Sequence, residues 1–162
     1  WTGTVAAGNY LSSDYQPSIN AVRYGLNDCA IGMYNRTAGA TSIYGGYMLW
    51  GASASMINSD PTYYNRCQVN DTSYGTANIS NAVGMRVTTR QSAGSFFHNV
   101  NGSELQVSRS AVNLPNIAEY IGNQSNSQVA FVFASKGCSK AQITVIINAV
   151  EAYMDANGKG VL

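Results

Sequence analysis

One histidine, three cysteines and a few scattered carboxylates are the residues of this chain with the most chemistry available to them. His98 lies in the alternating run SFFHNV and has no histidine, cysteine or carboxylate at a metal-ligand spacing. Cys138, in KGCSK, has no histidine near it in the sequence that could activate it as a nucleophile. We therefore predict that His98 is a strand histidine satisfied by its neighbours and that Cys138 is a packing or loop residue. We also predict no metal and no cofactor.

Carboxylates at catalytic spacing are missing from the predicted strands. Glycoside hydrolysis needs two of them roughly 5 to 10 Å apart, which on a strand means acidic residues two or four positions apart. Four carboxylates of the β-rich part are each isolated in the sequence: Asp60, Asp71, Glu104 and Glu119. A lyase built on a sheet would group Arg, Gln, His and Tyr on one face, and only His98 and Arg86 suggest such a group. We therefore predict that the chain is not an enzyme. A polysaccharide-degrading enzyme is kept as the third hypothesis, after the binding and architectural roles given below.

Aromatic residues are concentrated in one stretch of the chain together with amide and guanidinium groups. Such a set suits sugar rings, because C–H faces stack on aromatic rings while hydroxyls take hydrogen bonds. The candidate carbohydrate-binding residues are Trp50, Tyr63, Tyr64, Asn65, Arg66 and Tyr74. The alternative is that alternate members of the set point inward and belong to the core.

Composition limits the partners that the chain can have. The 162 residues are 45% hydrophobic and only 10% charged, with a formal net charge of +1. One domain over 1–162 fits this length. The sequence has no cluster of Lys and Arg residues, so we predict no binding to nucleic acid. The longest weakly polar run, from Tyr44 to Ile57, is interrupted by glycines and is too short to insert into a membrane.

The three cysteines indicate the disulfide state of the chain, and its first residues indicate how it was processed. Cys29, Cys67 and Cys138 are odd in number and far apart, so we expect buried free thiols more than a single disulfide. The sequence begins WTGTVAAGNY without a methionine and without the apolar core of a signal peptide. We expect a fragment of a longer chain.

Strand patterns dominate most of the sequence. CAIGMYNR alternates. In VGMRVTTR the predicted inward residues are Val83, Met85 and Val87, and the predicted outward residues are Arg86, Thr88 and Arg90. The dipeptide Asn101-Gly102 between two alternating runs predicts a tight hairpin. QVAFVFAS is almost continuously apolar and predicts a central strand. Many short strands in one domain predict an all-β fold of two antiparallel sheets.

Helical periodicity is confined to the last part of the chain, over about 139–157. Ser139 and Gln142 have the spacing of a capping box, and Gly158 is placed to end the helix. The predicted buried stripe contains Ile143, Ile147, Val150 and Met154, widened by Ile146 and Tyr153. The predicted solvent side contains Lys140, Thr144, Asn148, Glu151 and Asp155.

Three segments carry a resemblance to a known family: YLSSDYQPSINAVRYGLNDCAIGMYNRT, VGMRVTTRQSAGSFFHNVNGSEL and IGNQSNSQVAFVFASKGCSKAQITVIINAVEAYM. In this order they resemble the opening unit, the central hairpin and the closing strand–loop–helix unit of concanavalin A-like, laminin-G-type jelly-roll modules. These modules occur in tailed-phage structural proteins such as tail fibres, spikes and head appendages. The resemblance implies a two-sheet jelly-roll sandwich with one C-terminal helix beside it.

The resemblance also implies a binding role more than a reaction. We expect a non-catalytic adhesion module at the virion surface that recognises a host-surface glycan and contacts other virion proteins. We expect a homotrimer, with a monomer as the alternative. The first alternative is an architectural decoration or assembly domain of the capsid or tail, without ligand binding. A secreted or cell-surface location is the alternative to the virion.

Overall fold

The fold is given by a computed structural model that describes residues 3–4, 11–13, 15–37, 46–49, 54–58, 65–73, 75–77, 83–117, 119–121 and 128–161. Twelve strands and two helices are defined within these residues. The strands are β1 Gly3–Thr4, β2 Leu11–Ser13, β3 Cys29–Asn35, β4 Gly46–Leu49, β5 Ala54–Asn58, β6 Asn65–Asp71, β7 Gly75–Ala77, β8 Gly84–Arg90, β9 Ser95–Val100, β10 Ser103–Ser108, β11 Glu119–Ile121 and β12 Gln128–Ser135. The helices are α1 Pro17–Asn20 and α2 Lys140–Ala156.

The strands form two six-stranded sheets in which every described pairing is antiparallel. The first sheet has the order β1-β12-β3-β8-β9-β10, and the second has the order β2-β11-β4-β5-β6-β7. The sheets touch through β3 and β8 of the first and β4, β5 and β6 of the second. A mostly-β, antiparallel fold with one substantial C-terminal helix is therefore confirmed for the described residues, since α1 has only four residues.

Strands from the two ends of the chain pair in both sheets. In the first sheet β12 lies between β1 and β3, and in the second β11 lies between β2 and β4. The consecutive pair β11–β12 is thus flanked by β1–β2 on one side and by β3–β4 on the other. QVAFVFAS, predicted to be central, pairs with β3 along most of its length and with β1 at Gln128 and Val129.

The predicted hairpin is confirmed. Asn101 and Gly102 connect β9 to β10 with φ of 50° and 90°, the left-handed conformations that a two-residue turn of this kind requires. The Asn101 amide side chain also donates to the Val83 carbonyl at 2.9 Å, which ties the turn to the start of β8.

Helix α2 has the predicted ends. Ser139 accepts from the Gln142 backbone N–H, and the Gln142 side chain accepts from the Ser139 N–H, so both halves of the capping box are present. At the other end Gly158 has φ of 63°, and Lys159 N donates to the Met154 carbonyl at 2.8 Å. This is the Schellman arrangement that ends a helix.

Most of the predicted stripe of α2 is covered by the first sheet. Ile143, Ile147 and Met154 are buried, whereas Ile146 and Val150 are half-buried. Tyr153 is 68% exposed, so its assignment to the stripe was wrong. Glu151, placed on the solvent side, is instead half-buried and accepts a hydrogen bond from the Tyr34 hydroxyl at 2.6 Å.

Both faces of β8 are buried, which corrects the prediction that one of them is turned outward. Met85 and Val87 pack under α2 as predicted. Arg86, Thr88 and Arg90, on the opposite face, have no or almost no exposed surface. The prediction failed because the second sheet covers this face, through contacts of β5 and β6 with β8.

Candidate functional site

Most of the predicted carbohydrate-binding set lies outside the described residues. Trp50, Tyr63, Tyr64 and Tyr74 are in this group. Asn65 and Arg66 are described by their backbone alone, as the first two residues of β6. Their role in binding therefore stays a prediction.

The described neighbours of this set lie at two different ends of the second sheet. Leu49 pairs with Ser55, and Ala54 pairs with Asp71, so the residues before positions 50 and 74 share one end. Asn65 pairs with Ala77 at the other end. A strand of seven residues is about 23 Å long, which separates the two ends by more than one sugar ring.

His98 and Arg86 are brought onto the same face of the first sheet, in the neighbouring strands β9 and β8. His98 lies opposite Thr88, and its Nδ1 is 2.9 Å from the Thr88 Oγ1. Both His98 and Arg86 have 0% exposed surface. This is the grouping that a lyase would need, formed inside the molecule and not on a surface.

Burial determines the pKa values of His98 and Arg86. It lowers the pKa of His98 to about 3, with the Arg86 charge acting in the same direction, so the imidazole is neutral near pH 7. Burial also lowers the pKa of Arg86 to about 10. A general base must reach a substrate proton directly or through one water, and a histidine with no exposed surface does not. The prediction that His98 is held by its strand neighbours agrees with its bond to Thr88.

Arg90, on the same face, has a structural role that the sequence did not reveal. Its guanidinium donates to the backbone carbonyls of five residues: Val69, Ser92, Ala93, Ser95 and Arg109, at distances from 2.9 to 3.3 Å. It also lies 5.4 Å from the centre of the Phe96 ring. One side chain therefore joins β6, the β8–β9 turn and the end of β10.

Asn70 is a second buried polar residue that links distant segments. It has φ of 51°, and its side-chain amide donates to the carbonyls of Gly25 and Leu26 at 3.1 and 2.8 Å. Its Oδ1 accepts from the Tyr24 hydroxyl at 3.1 Å. The loop before β3 is thereby attached to β6 of the second sheet.

The cysteines are free and buried, as predicted. Burial raises the pKa of Cys29 and of Cys67 to about 12, so neither is a thiolate near neutral pH. Cys138 belongs to the core under α2, and its backbone N–H donates to the Thr89 hydroxyl at 2.8 Å. Its predicted role in packing is confirmed by these contacts.

An open cleft of about 440 Å³ lies beside the start of α2. It is lined by Cys138, Ala141, Gln142, Val145 and Ile146. Among these described lining residues only Gln142 has an amide side chain, and this amide is used in the capping box. The cleft lies beside Cys138 and the first turns of α2, and its described lining lacks a set of converging polar groups that would orient a ligand.

A metal-binding cluster and a membrane-spanning helix are both absent from the part of the chain that the structure describes. No group of three or more His, Cys, Asp or Glu residues there is arranged to hold a metal ion. Neither described helix is long and apolar enough to cross a bilayer.

Comparison with known proteins gives no relative from which a role could be taken. No family model matches the chain, and neither a curated protein nor a solved structure matches it. A functional assignment therefore rests on the residues of this chain alone.

Proposed function

We propose that this chain is a non-catalytic recognition module of a tailed-phage structural protein, displayed at the virion surface, that binds host-surface carbohydrate. We further propose that its two sheets form a jelly-roll sandwich of the concanavalin A-like type. The support comes from strand connectivity, from the burial of the reactive side chains and from the aromatic residues of the second sheet's connections.

The pairing of the chain ends supports the jelly roll. In a jelly roll consecutive strands alternate between two facing sheets, so strands from distant parts of the chain pair in both sheets. Here β1–β2 pairs with β12–β11, and β3–β4 pairs with the same ribbon from its other side. Each ribbon contributes one strand to each sheet.

The main support for a non-catalytic role is that the described polar side chains between the two sheets are buried. His98 and Arg86, the two residues that a lyase could use, have no exposed surface. They lie beside Arg90, whose guanidinium donates to backbone carbonyls. A buried polar group of this kind stabilises one packing arrangement. It does not present a nucleophile, an acid or a base to a polymer outside.

We propose that carbohydrate binds where β6 begins. Tyr63, Tyr64, Asn65 and Arg66 are consecutive, and the last two begin β6. Two aromatic rings, an amide and a guanidinium within four residues are the groups that stack on and hydrogen-bond to a sugar. A chain with 10% charged residues also has little electrostatic attraction for polyanions, which favours neutral glycans.

A glycan array probed with the whole chain tests the proposal, followed by affinity measurement on a bound glycan. Tyr63→Ala and Tyr64→Ala are expected to weaken binding by about 1 to 3 kcal/mol, or roughly 5- to 150-fold, if they act as interface hot spots. Thermal stability is expected to stay nearly unchanged. Tyr153→Ala, which removes an exposed tyrosine on α2, is the matched control and is expected to bind like the parent.

Three results separate the alternatives. Loss of binding in Trp50→Ala and Tyr74→Ala but not at 63 and 64 would move the site to the opposite end of the sheet. Early melting of the Ala variants with unchanged binding would assign the aromatic set to the core. Absence of any bound glycan would favour an architectural or assembly domain.

A further inference from the structure

The four outer edges of the two sheets differ in length. Among the described residues, three of them are formed by strands of two or three residues, namely β1, β2 and β7, and β1 pairs with only two residues of β12. The fourth, β10, has six residues and pairs with β9 along its whole length without a register shift. Proteins often prevent edge-to-edge association by making edge strands very short. With six residues, β10 lacks this protection.

Other protective devices are also missing from β10. Its sequence, SELQVS, contains no proline, lysine or arginine. Its only charged residue, Glu104, is 3.9 Å from the Nζ of Lys140 at the start of α2, so its charge is partly balanced within the chain. Proline, lysine and bulges are what natural edges use against pairing, and β10 has none of the three.

The outward backbone groups of β10 can be identified from the hairpin. Asn101 N donates to the Met85 carbonyl at 2.9 Å, so odd-numbered residues of β9 bond to β8 and even-numbered residues bond to β10. Across the two-residue turn, residues 103, 105 and 107 then bond back to β9. The N–H and C=O groups of Glu104, Gln106 and Ser108 point away from the sheet and meet no partner among the described residues.

Both ends of this edge are fixed in position. The Asn101–Gly102 turn, tied to Val83, holds its beginning. The buried Arg90 guanidinium donates to the Arg109 carbonyl at 2.9 Å, immediately after its last residue. A strand held at both ends is pre-organised, so pairing requires little further ordering of the backbone.

We propose that β10 pairs antiparallel with β10 of a second copy of this chain, about a two-fold axis at Gln106. The two first sheets would then continue into one another across the interface. This proposal concerns assembly and does not depend on carbohydrate binding.

The side chains fit a second copy of the same strand. With Gln106 opposite its symmetry mate, Leu105 of one copy lies opposite Val107 of the other, and this contact occurs twice. Leu105 is 36% exposed and Val107 is half-buried, so both gain cover from it. Glu104 lies opposite Ser108, and no like charges are placed face to face.

The size of the contact sets the expected affinity. Six residues form about 20 Å of strand and about six interchain backbone hydrogen bonds. The surface covered is smaller than the roughly 800 Å² per partner of a stable dimer. We therefore expect a reversible dimer that forms at about 10 to 500 µM.

Sedimentation velocity on the full chain across that concentration range is the first test. The parent chain and Gln106→Thr, which keeps the backbone N–H, are expected to dimerise. Gln106→Pro removes an outward N–H that makes no bond within the chain and is expected to weaken dimerisation at least tenfold. A parent chain that stays monomeric or forms a trimer overturns the proposal, as does a Gln106→Pro variant that dimerises like the parent while keeping its melting temperature.

Disulfide trapping gives a second test that does not need the proline variant to fold. Two-fold pairing places the Cα atoms of the two 106 positions about 5.5 Å apart, which a disulfide can span. The native cysteines are buried and do not compete. Gln106→Cys is expected to form a covalent dimer under mild oxidation at least tenfold faster than Asn113→Cys, an exposed control. Equal rates for the two variants would contradict pairing through β10.

Discussion

The two faces of β8 are equally buried but have opposite chemistry. Toward α2, Met85 and Val87 lie in an apolar core with Ile143 and Ile147 of the helix. Toward the second sheet, the same strand presents two arginines and a threonine. The apolar face needs only complementary shape, whereas each polar group on the other face needs a specific partner.

That difference determines what each face can specify. An apolar face packs against any surface of suitable volume, and α2 is positioned by its caps and by the Tyr34–Glu151 hydrogen bond as well as by packing. The polar face fixes particular atoms, since Arg90 requires carbonyls from three separate segments in one place. We infer that the sheet-facing side holds the β6, β8–β9 and β10 segments in register.

Replacing Arg90 tests this inference most directly. Arg90→Met fills a similar volume but leaves the carbonyls of Val69 and Arg109 without their donor, and we expect a loss of about 4 kcal/mol of unfolding free energy. Urea denaturation measures the change. Arg109→Met, an exposed arginine whose carbonyl would still accept the Arg90 bond, is the matched control and is expected to change stability by less than about 0.5 kcal/mol. Equal effects of the two substitutions would contradict the role of Arg90.

The apolar face should respond to volume alone. Ile143→Ala removes a fully buried side chain from the core under α2, and we expect a loss of roughly 3.5 kcal/mol, measured by the same urea titration. Val145→Ala, two residues later and 68% exposed, should change stability by less than about 0.5 kcal/mol. A large effect at Val145 would show that this side of α2 is covered in solution.

His98 makes the polar face sensitive to acid. The unfolded chain takes up a proton on this residue near pH 6.5, whereas in the folded chain its pKa is about 3. Between these values the unfolded state binds more protons, so stability is complete above about pH 6.5 and falls with decreasing pH. We expect a loss of about 2 kcal/mol between pH 7.5 and pH 5. Urea titrations at several pH values would measure it.

The chain contains a single histidine, which makes the control simple. His98→Gln should remove most of the pH dependence in that window, whatever its own stability. If the slope persists in His98→Gln, another group titrates there and the buried neutral imidazole is not the cause.

The smallest expected effect concerns the start of α2. Ser139→Ala removes the side-chain oxygen that accepts from the Gln142 N–H, and we expect a loss of about 1 kcal/mol of unfolding free energy. Ser139→Asp keeps an acceptor at the N-cap and should retain most of the stability. Thermal unfolding of the two variants side by side would distinguish a missing cap from a general sensitivity of this position.

Local sequence was sufficient for features that a few neighbouring residues decide. The Asn101–Gly102 turn, the capping box of Ser139 with Gln142 and the glycine stop at Gly158 were all predicted, because each depends on backbone conformations within one turn. The antiparallel β architecture was predicted from alternation along the strands. The aromatic candidates from Trp50 to Tyr74 stay a prediction, since their side chains lie outside the described residues.

Only the tertiary structure decided which side of each element meets another element. Alternation in β8 separated Met85 from Arg86 correctly but could not show that a second sheet covers the arginine face. In the same way, helical periodicity gave the right stripe for α2 but misplaced Tyr153 and Glu151, because the width of the cover depends on the sheet beneath. The sequence of β10 does not reveal that it is an outer strand of the described sheet, because this depends on how strands distant in sequence pair with one another. Local patterns set backbone conformation and the sidedness of an element, whereas burial and edge position arise from contacts between residues distant in sequence.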